Sequence, residues 1–226
     1  MAGSNYITGG ANPMVKVADG TTTNVRLDNF AGLLTSQTLP QRYELSRSGR
    51  IYVASSGAAT AQASTATVPT TTAPFALWNG ASGATGGGGN TGAISYAILG
   101  VGFWTFSGTF GIGTMMFGGV SSSAQAAAVS ALSSSTVKSA SGSTRTTAGV
   151  LGANITLAGT PSWMALGSAQ TTGAAANLGQ GAFVKLDGEF IVPPGYCFGV
   201  ACVTTQTSSP LFGASILYAE IESYLV

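Results

Sequence analysis

Histidine is absent from the 226 residues. That removes the commonest general base, the usual zinc ligand and every histidine-based triad. Charge is scarce as well: eight Lys and Arg stand against seven Asp and Glu, 7% of the chain, where soluble domains carry about 25%. Between Ile51 and Val184 only Lys138 and Arg145 are charged. A surface hydrated through hydroxyls and backbone lacks the repulsion that keeps monomers apart. This favours a protein that lives inside a larger assembly, although a secreted Ser/Thr-rich chain would share the composition. The net charge of +1 gives no basic footprint for nucleic acid. The two cysteines, Cys197 and Cys202, sit five apart on an expected strand, so they point to opposite faces and read as buried free thiols. The start, MAGSNYITGGANPMVKV, has no basic region followed by an apolar run, so no signal peptide is visible. Asn154-Ile155-Thr156 is then a coincidental glycosylation sequon.

What is present is strand patterning, clearest from Ala182 to Val226. Ala182, Val184, Leu186, Gly188, Phe190 and Val192 alternate with Lys185, Asp187 and Glu189, the period-two signature of a strand with one buried and one wet face. Pro193-Pro194-Gly195 stops it. A second strand at Tyr196–Thr204 is apolar on both faces. A third, Ser215–Leu225, is read with Leu217, Ala219, Ile221 and Leu225 facing in and Tyr218, Glu220, Glu222 and Tyr224 facing out. Three consecutive antiparallel strands define a β-protein, and four of the seven carboxylates fall here on expected outward faces.

Upstream, residues 1–47 are irregular and, with Arg50, hold eight of the fifteen charges. They read as an extended N-terminal arm or a disordered tail, ahead of a body at 48–226. Strands are expected at Gly49–Ala54 and Phe75–Asn79, with flexible loops at 80–92 and 170–181. The uncharged runs Ala93–Phe106 and Thr109–Val120 are long enough for a bilayer span of roughly 20 residues. Their recurrent glycines and the lack of flanking Lys or Arg favour two buried strands and no membrane. Ser121–Ser135 is Ala-rich and suits a short helix nearly as well as a loop; 138–149 reads as a polar loop. Leu151–Leu157 and Ser162–Leu166 read as a short strand pair. About eight short strands with Gly/Pro turns indicate an all-β fold, an antiparallel β-sandwich of the jelly-roll type used by capsid and lectin-like domains.

No motif points to catalysis. Gly-x-Ser-x-Gly does not occur, and the glycines at 86–89 are not followed by Lys-Ser/Thr, so they cradle no phosphate. The pairs Asp187/Glu189 and Glu220/Glu222 would converge only if their strands were adjacent, and could then hold a hard cation or work as acid and base. A solubilised sheet face is the simpler reading, with no metal and no cofactor. Phe103, Trp104, Phe106, Trp78 and Trp163 suit a core better than a sugar-stacking platform. Arg42, Arg47 and Arg50 are candidates for gripping a neighbouring subunit.

The segments Arg42–Val53, Phe75–Asn79, Phe190–Gly195 and Ile216–Ile221, taken in order, resemble the jelly-roll virion proteins of tailed bacteriophages. That resemblance implies a non-enzymatic head decoration, cement or fibre-like subunit located in the virion. It also implies a homo-oligomer, commonly a trimer, that contacts the major capsid or other virion proteins and is fixed to the particle by its N-terminal arm. The alternative is a carbohydrate- or receptor-binding module of a phage tail or other surface assembly. A two-carboxylate glycosidase is a third, weaker reading because acids are so scarce.

Overall fold

The computed structural model describes residues 45–46, 48–57, 60–80, 94–108, 110–111, 113–133, 136–168, 181–204 and 210–222. The expected arm, with Arg42 and Arg47, and the loops at 80–92 and 170–181 therefore lie almost wholly outside the described residues. Leu45 and Ser46 form a helical turn closed by Gly49 at φ 71°, whose amide donates to the Ser46 carbonyl at 3.0 Å.

Eleven strands follow among the described residues: β1 (Ile51–Ser55), β2 (Gln62–Ala63), β3 (Thr72–Asn79), β4 (Ile94–Ser107), β5 (Met115–Val120), β6 (Thr136–Ser139), β7 (Gly149–Thr156), β8 (Met164–Ser168), β9 (Gly181–Val192), β10 (Cys197–Val203) and β11 (Leu211–Glu222). They build two antiparallel sheets. One runs β6-β1-β11-β4-β9, with β2 also on β11; the other runs β7-β3-β10-β5-β8. Setting β2, β6 and β7 aside leaves nested pairs: β1 with β11, β3 with β10, β4 with β9 and β5 with β8. First pairs with last, second with seventh, and so inward, alternating between sheets. That is the winding of a jelly roll, and the all-β sandwich expected from the strand pattern is the observed fold. The β6/β7 insertion adds one strand to each sheet at the β1/β3 side.

This winding corrects two pairings read from local order. β9 and β10 are not a hairpin, because Pro193-Pro194-Gly195 carries the chain from one sheet to the other. β7 and β8 are not partners but the opposite edges of one sheet. β4 and β5, the two apolar runs, also belong to different sheets. Local turn signals mark where a strand stops; its partner is chosen by which apolar face it must bury. The expected helix at 121–135 is absent from its described part, residues 121–133. The backbone there bonds outward instead: Ser121 N to Cys197 O at 2.8 Å, Gln125 N to Gly195 O at 2.9 Å and Leu132 N to Leu151 O at 2.9 Å. Alanine's helix propensity is worth only tenths of a kcal/mol per residue and yields to those partners. The polar stretch after Ser135 likewise contributes β6.

The core lies between the sheets. Tyr52, Phe75, Leu77, Tyr96, Ile98, Val101, Phe198, Phe212, Ile216 and Tyr218 are buried there. Burying a large apolar side chain contributes about 1.5–3 kcal/mol, against about 0–1 kcal/mol for an exposed ion pair, so this layer holds the sandwich. A second cluster around Ala73, Ala76, Trp78, Leu157 and Cys197 covers the outer face of the β3 sheet. A third, Ile51, Ala97, Leu99 and Ala219 with Leu45 and Leu217, lies on the outer face of the β1 sheet.

Trp78 and Asn79 fasten one end of the sandwich. The Trp78 indole donates to the Gly195 carbonyl at 3.1 Å. The Asn79 backbone exchanges bonds with Tyr196 O at 2.9 Å and Gly195 N at 2.8 Å. Its side-chain Nδ2, fully buried, donates to Ile94 O at 3.0 Å and Val192 O at 2.9 Å. One residue of β3 thus bonds β4 and β9 of the facing sheet while closing the Pro-Pro-Gly turn.

Candidate functional site

The residue alternation of β11 holds, but its sense is opposite to that expected. Phe212, Ala214, Ile216 and Tyr218 face the inter-sheet core, and Glu220 is buried with them. Leu217, Ala219 and Ile221 join the outer cluster. Both parities carry apolar residues, and the even set wins because it includes the large rings. Tyr218 stacks on Tyr52 at a centroid distance of 5.6 Å and tilts against Tyr96 at 4.6 Å.

Glu220 is therefore not on an outward acidic face. Its side chain is 8% exposed, and its Oε2 lies 3.8 Å from Nε of Arg145, itself 44% exposed. Arg145 comes from the segment joining β6 to β7, which closes over the tyrosines. The hydroxyls of Tyr96 and Tyr218 meet Thr147 Oγ1 at 3.3 and 3.2 Å. Tyr52 donates to the Thr146 carbonyl at 3.3 Å, and the Gly149 amide donates to Thr147 Oγ1 at 3.2 Å. Burial raises all three phenols above their ordinary value. The Tyr96 charge adds to the rise at Tyr218, and Glu220 adds to it at all three, while the Thr147 bond opposes it at Tyr96 and Tyr218. The phenols stay neutral at physiological pH, and the cluster works as a polar plug at one end of the sandwich. No local pattern in the sequence signals it: Glu220 falls on the parity read as a wet face, and Arg145 and the two threonines lie in a stretch read as polar loop.

The strands that carry the two acidic pairs are not neighbours. β4 separates β9 from β11, so the adjacency that a cation or acid–base site would need does not exist. Asp187 and Glu189 are exposed as expected. Asp187, at φ 41°, and Gly188, at φ 93°, form an excursion in β9, where four residues pass one residue of β4, between the pairs Gly100–Lys185 and Ile98–Phe190. Lys185 pairs with Asp187 across it at 2.9 Å. Glu222 ends β11 opposite Ile94; its side chain is outside the described residues, as are Arg42 and Arg47. Arg50 is half-buried and accepts the Glu220 amide at its carbonyl at 2.9 Å.

The cysteines are buried and unbridged, in clusters on opposite faces of β10. Burial pushes both thiols up to about 12, with a Gln125 contact at 3.4 Å opposing this at Cys197. Among the aromatics, Phe103 and Trp78 are core residues. Trp104 and Trp163 are half-buried, and Trp104 lies across Gly213, where a Cβ would collide with the indole.

The described surface includes two grooves of note. One, about 520 Å³, includes Gln62, Ser64, Thr65, Thr71, Thr72 and Asn154 in its lining. The Ser64 hydroxyl is buried there and has no hydrogen-bond partner among the described residues. The other, about 400 Å³, lies along β6 and includes Lys138 and Arg145. Both cations of the charge-poor stretch thus share one groove.

No protein-family model matches the chain, and no curated protein is similar to it. A chain in the cryoEM structure of Mud Crab Dicistrovirus is 10% identical, with a TM-score of 0.24, over 100% of this chain and 94% of that one. At that TM-score it carries no argument about fold or function.

Proposed function

We propose that the chain is a non-enzymatic structural subunit of a virion, a decoration or cement protein that self-associates and attaches to the shell through residues 1–47. The observation that carries this is the nested jelly-roll winding in a chain whose surface has almost no charge. Such a body is built for contact with like surfaces rather than for repelling them. Fold alone hosts many functions. The reading therefore also rests on the site geometry: the described carboxylates are apart or committed to Arg145 and Lys185, and the thiols and the clustered phenols are held neutral by burial. Arg42, Arg47 and Arg50 are the proposed grip on the neighbouring protein.

The test is binding of the full chain to virion shells prepared without it, followed by co-sedimentation. Wild-type protein pellets with shells, whereas the triple substitution of Arg42, Arg47 and Arg50 by alanine stays in the supernatant. Equal pelleting of both would remove the arm as anchor.

The 520 Å³ groove favours a second reading, a module binding a neutral polyhydroxyl ligand such as a glycan. Its lining carries hydroxyl and amide groups of Gln62, Ser64, Thr65 and Asn154 beside Ala63, Pro69 and Pro74, with the Ser64 hydroxyl unpartnered among the described residues. Glycan-array binding lost on Gln62→Ala would promote that reading; an empty array retires it.

A further inference from the structure

The two edges of the β6-β1-β11-β4-β9 sheet carry opposite charge. At the β6 edge stand Lys138, exposed, and Arg145, which faces Glu220 of its own chain at 3.8 Å yet stays 44% exposed; both line one groove of about 400 Å³. At the β9 edge stand Glu189 and the Lys185–Asp187 pair, with Phe183 60% exposed beside them. Among the described residues, Lys138 and Glu189 enter no ion pair.

The register sets these groups level. Lys138 pairs with Val53, Val53 with Leu217, Leu217 with Gly100 and Gly100 with Lys185. One row therefore runs straight across the sheet from Lys138 to Lys185, and Glu189 lies within the excursion one row along. Paired residues share a face. Val53 lies between the inward Tyr52 and Ala54, so Lys138 stands on the outer face. Lys185 and Phe183 stand on that same face, next to the inward Val184. Four inter-strand steps put the two edges roughly 19 Å apart. That exceeds the Debye length of about 8 Å at physiological salt, so Lys138 and Glu189 cannot neutralise each other within one molecule.

We infer that the β9 edge docks against the β6 edge of a second copy of this chain, with Glu189 meeting Lys138 and Arg145 around an apolar centre at Phe183. This deepens the self-association in the proposed function and rests on it. The contact is heterologous: each subunit offers a different patch to either side, which closes into a ring or propagates as a layer. Side chains make it rather than a continuous ladder. The Asp187-Gly188 excursion interrupts the β9 edge, a device that blocks indiscriminate strand pairing, and β6 is only four residues long.

The experiment uses full-length Lys138→Glu, full-length Glu189→Lys and the double exchange, compared by sedimentation velocity in 50 mM and 500 mM salt. Wild-type protein associates at low salt and less so at high salt. Each single exchange gives two edges of like sign and weakens association about five- to tenfold. An equimolar mixture of the two single variants associates again, because acidic-edged and basic-edged copies alternate, and the double exchange associates like wild type. Circular dichroism checks that all variants fold, as expected for exposed positions. Association unchanged by either single exchange overturns the inference. So does loss without rescue on mixing, the behaviour of charges that merely guard the edges from aggregation. A wild-type chain that stays monomeric yet pellets with shells also refutes the edge contact while leaving the virion role standing.

Discussion

Replacing Asn79 by alanine removes both side-chain bonds that tie β3 to the facing sheet, to Ile94 O at 3.0 Å and Val192 O at 2.9 Å. Losing the donor to a buried acceptor costs about 1–3 kcal/mol. The Oδ1 atom accepts no hydrogen bond among the described residues, so its removal offsets part of this through the desolvation it no longer suffers. The expected loss is about 2–4 kcal/mol, large beside a typical domain stability of about 5–15 kcal/mol. Asn79→Asp keeps the shape but turns the donor into an acceptor facing two carbonyls at a site with no exposure. Its folded-state pKa is then raised above the unfolded value of about 3.9. A raised group keeps its stability below the unfolded pKa and loses it as pH rises through the folded one. The aspartate variant should therefore be closest to wild type near pH 4 and fall away towards pH 7, while the alanine variant shows a pH-independent deficit. Urea unfolding followed by tryptophan fluorescence reads both, with Trp78 adjacent to the change. A loss under about 1 kcal/mol for Asn79→Ala, or a flat pH profile for Asn79→Asp, would refute the reasoning that this amide clips the sheets together.

Other outcomes follow from the tyrosine plug and the thiols. Gly149→Ala should cost about 1–3 kcal/mol by overpacking, since its Cβ would collide with the hydroxyl of the fully buried Tyr218. Adding Tyr218→Phe should recover part of that loss, and a double-mutant cycle in urea measures the coupling. The phenols of Tyr52, Tyr96 and Tyr218 are raised above 10.0 in the fold, so unfolding above pH 10 releases protons and stability falls as pH climbs. Tyr96→Phe should flatten that decline in alkaline unfolding curves. Cys197 and Cys202, buried with thiols pushed up to about 12, should resist a thiol reagent at pH 8 in the native protein. Both should react at once in denaturant, and fast labelling of native protein would contradict the burial.

Much of the fold was legible because it is written in period-two alternation and turn chemistry. β9 and β10 and the stop at Pro193-Pro194-Gly195 stand out, as do Phe75–Asn79 and the apolar run of β4. Partner choice was not legible. Nothing near Leu151 or Met164 says that β7 and β8 lie at opposite edges, since that depends on winding the whole chain. The sense of β11 was missed for a related reason. Tyr218 and Glu220 look like a wet face until Tyr52 and Tyr96, far away in sequence, are placed against them. β6 was missed because four residues, Thr136–Ser139, carry no periodicity long enough to read. Of the candidate site residues, Asp187 and Glu189 are exposed as read. Glu220 is inside, held by a cation from a segment that looked like featureless loop. The Trp78-Asn79 and Pro-Pro-Gly signals were each visible alone, and only the fold joins them into one fastening.

The central claim, a structural subunit of a virion, is tested most directly by cryo-electron microscopy of purified particles from the source of this chain. The account predicts repeated density on the shell fitted by the two-sheet sandwich, with neighbouring copies meeting edge to edge. Particles complete without such density, with the chain recovered only as free monomer, would contradict it.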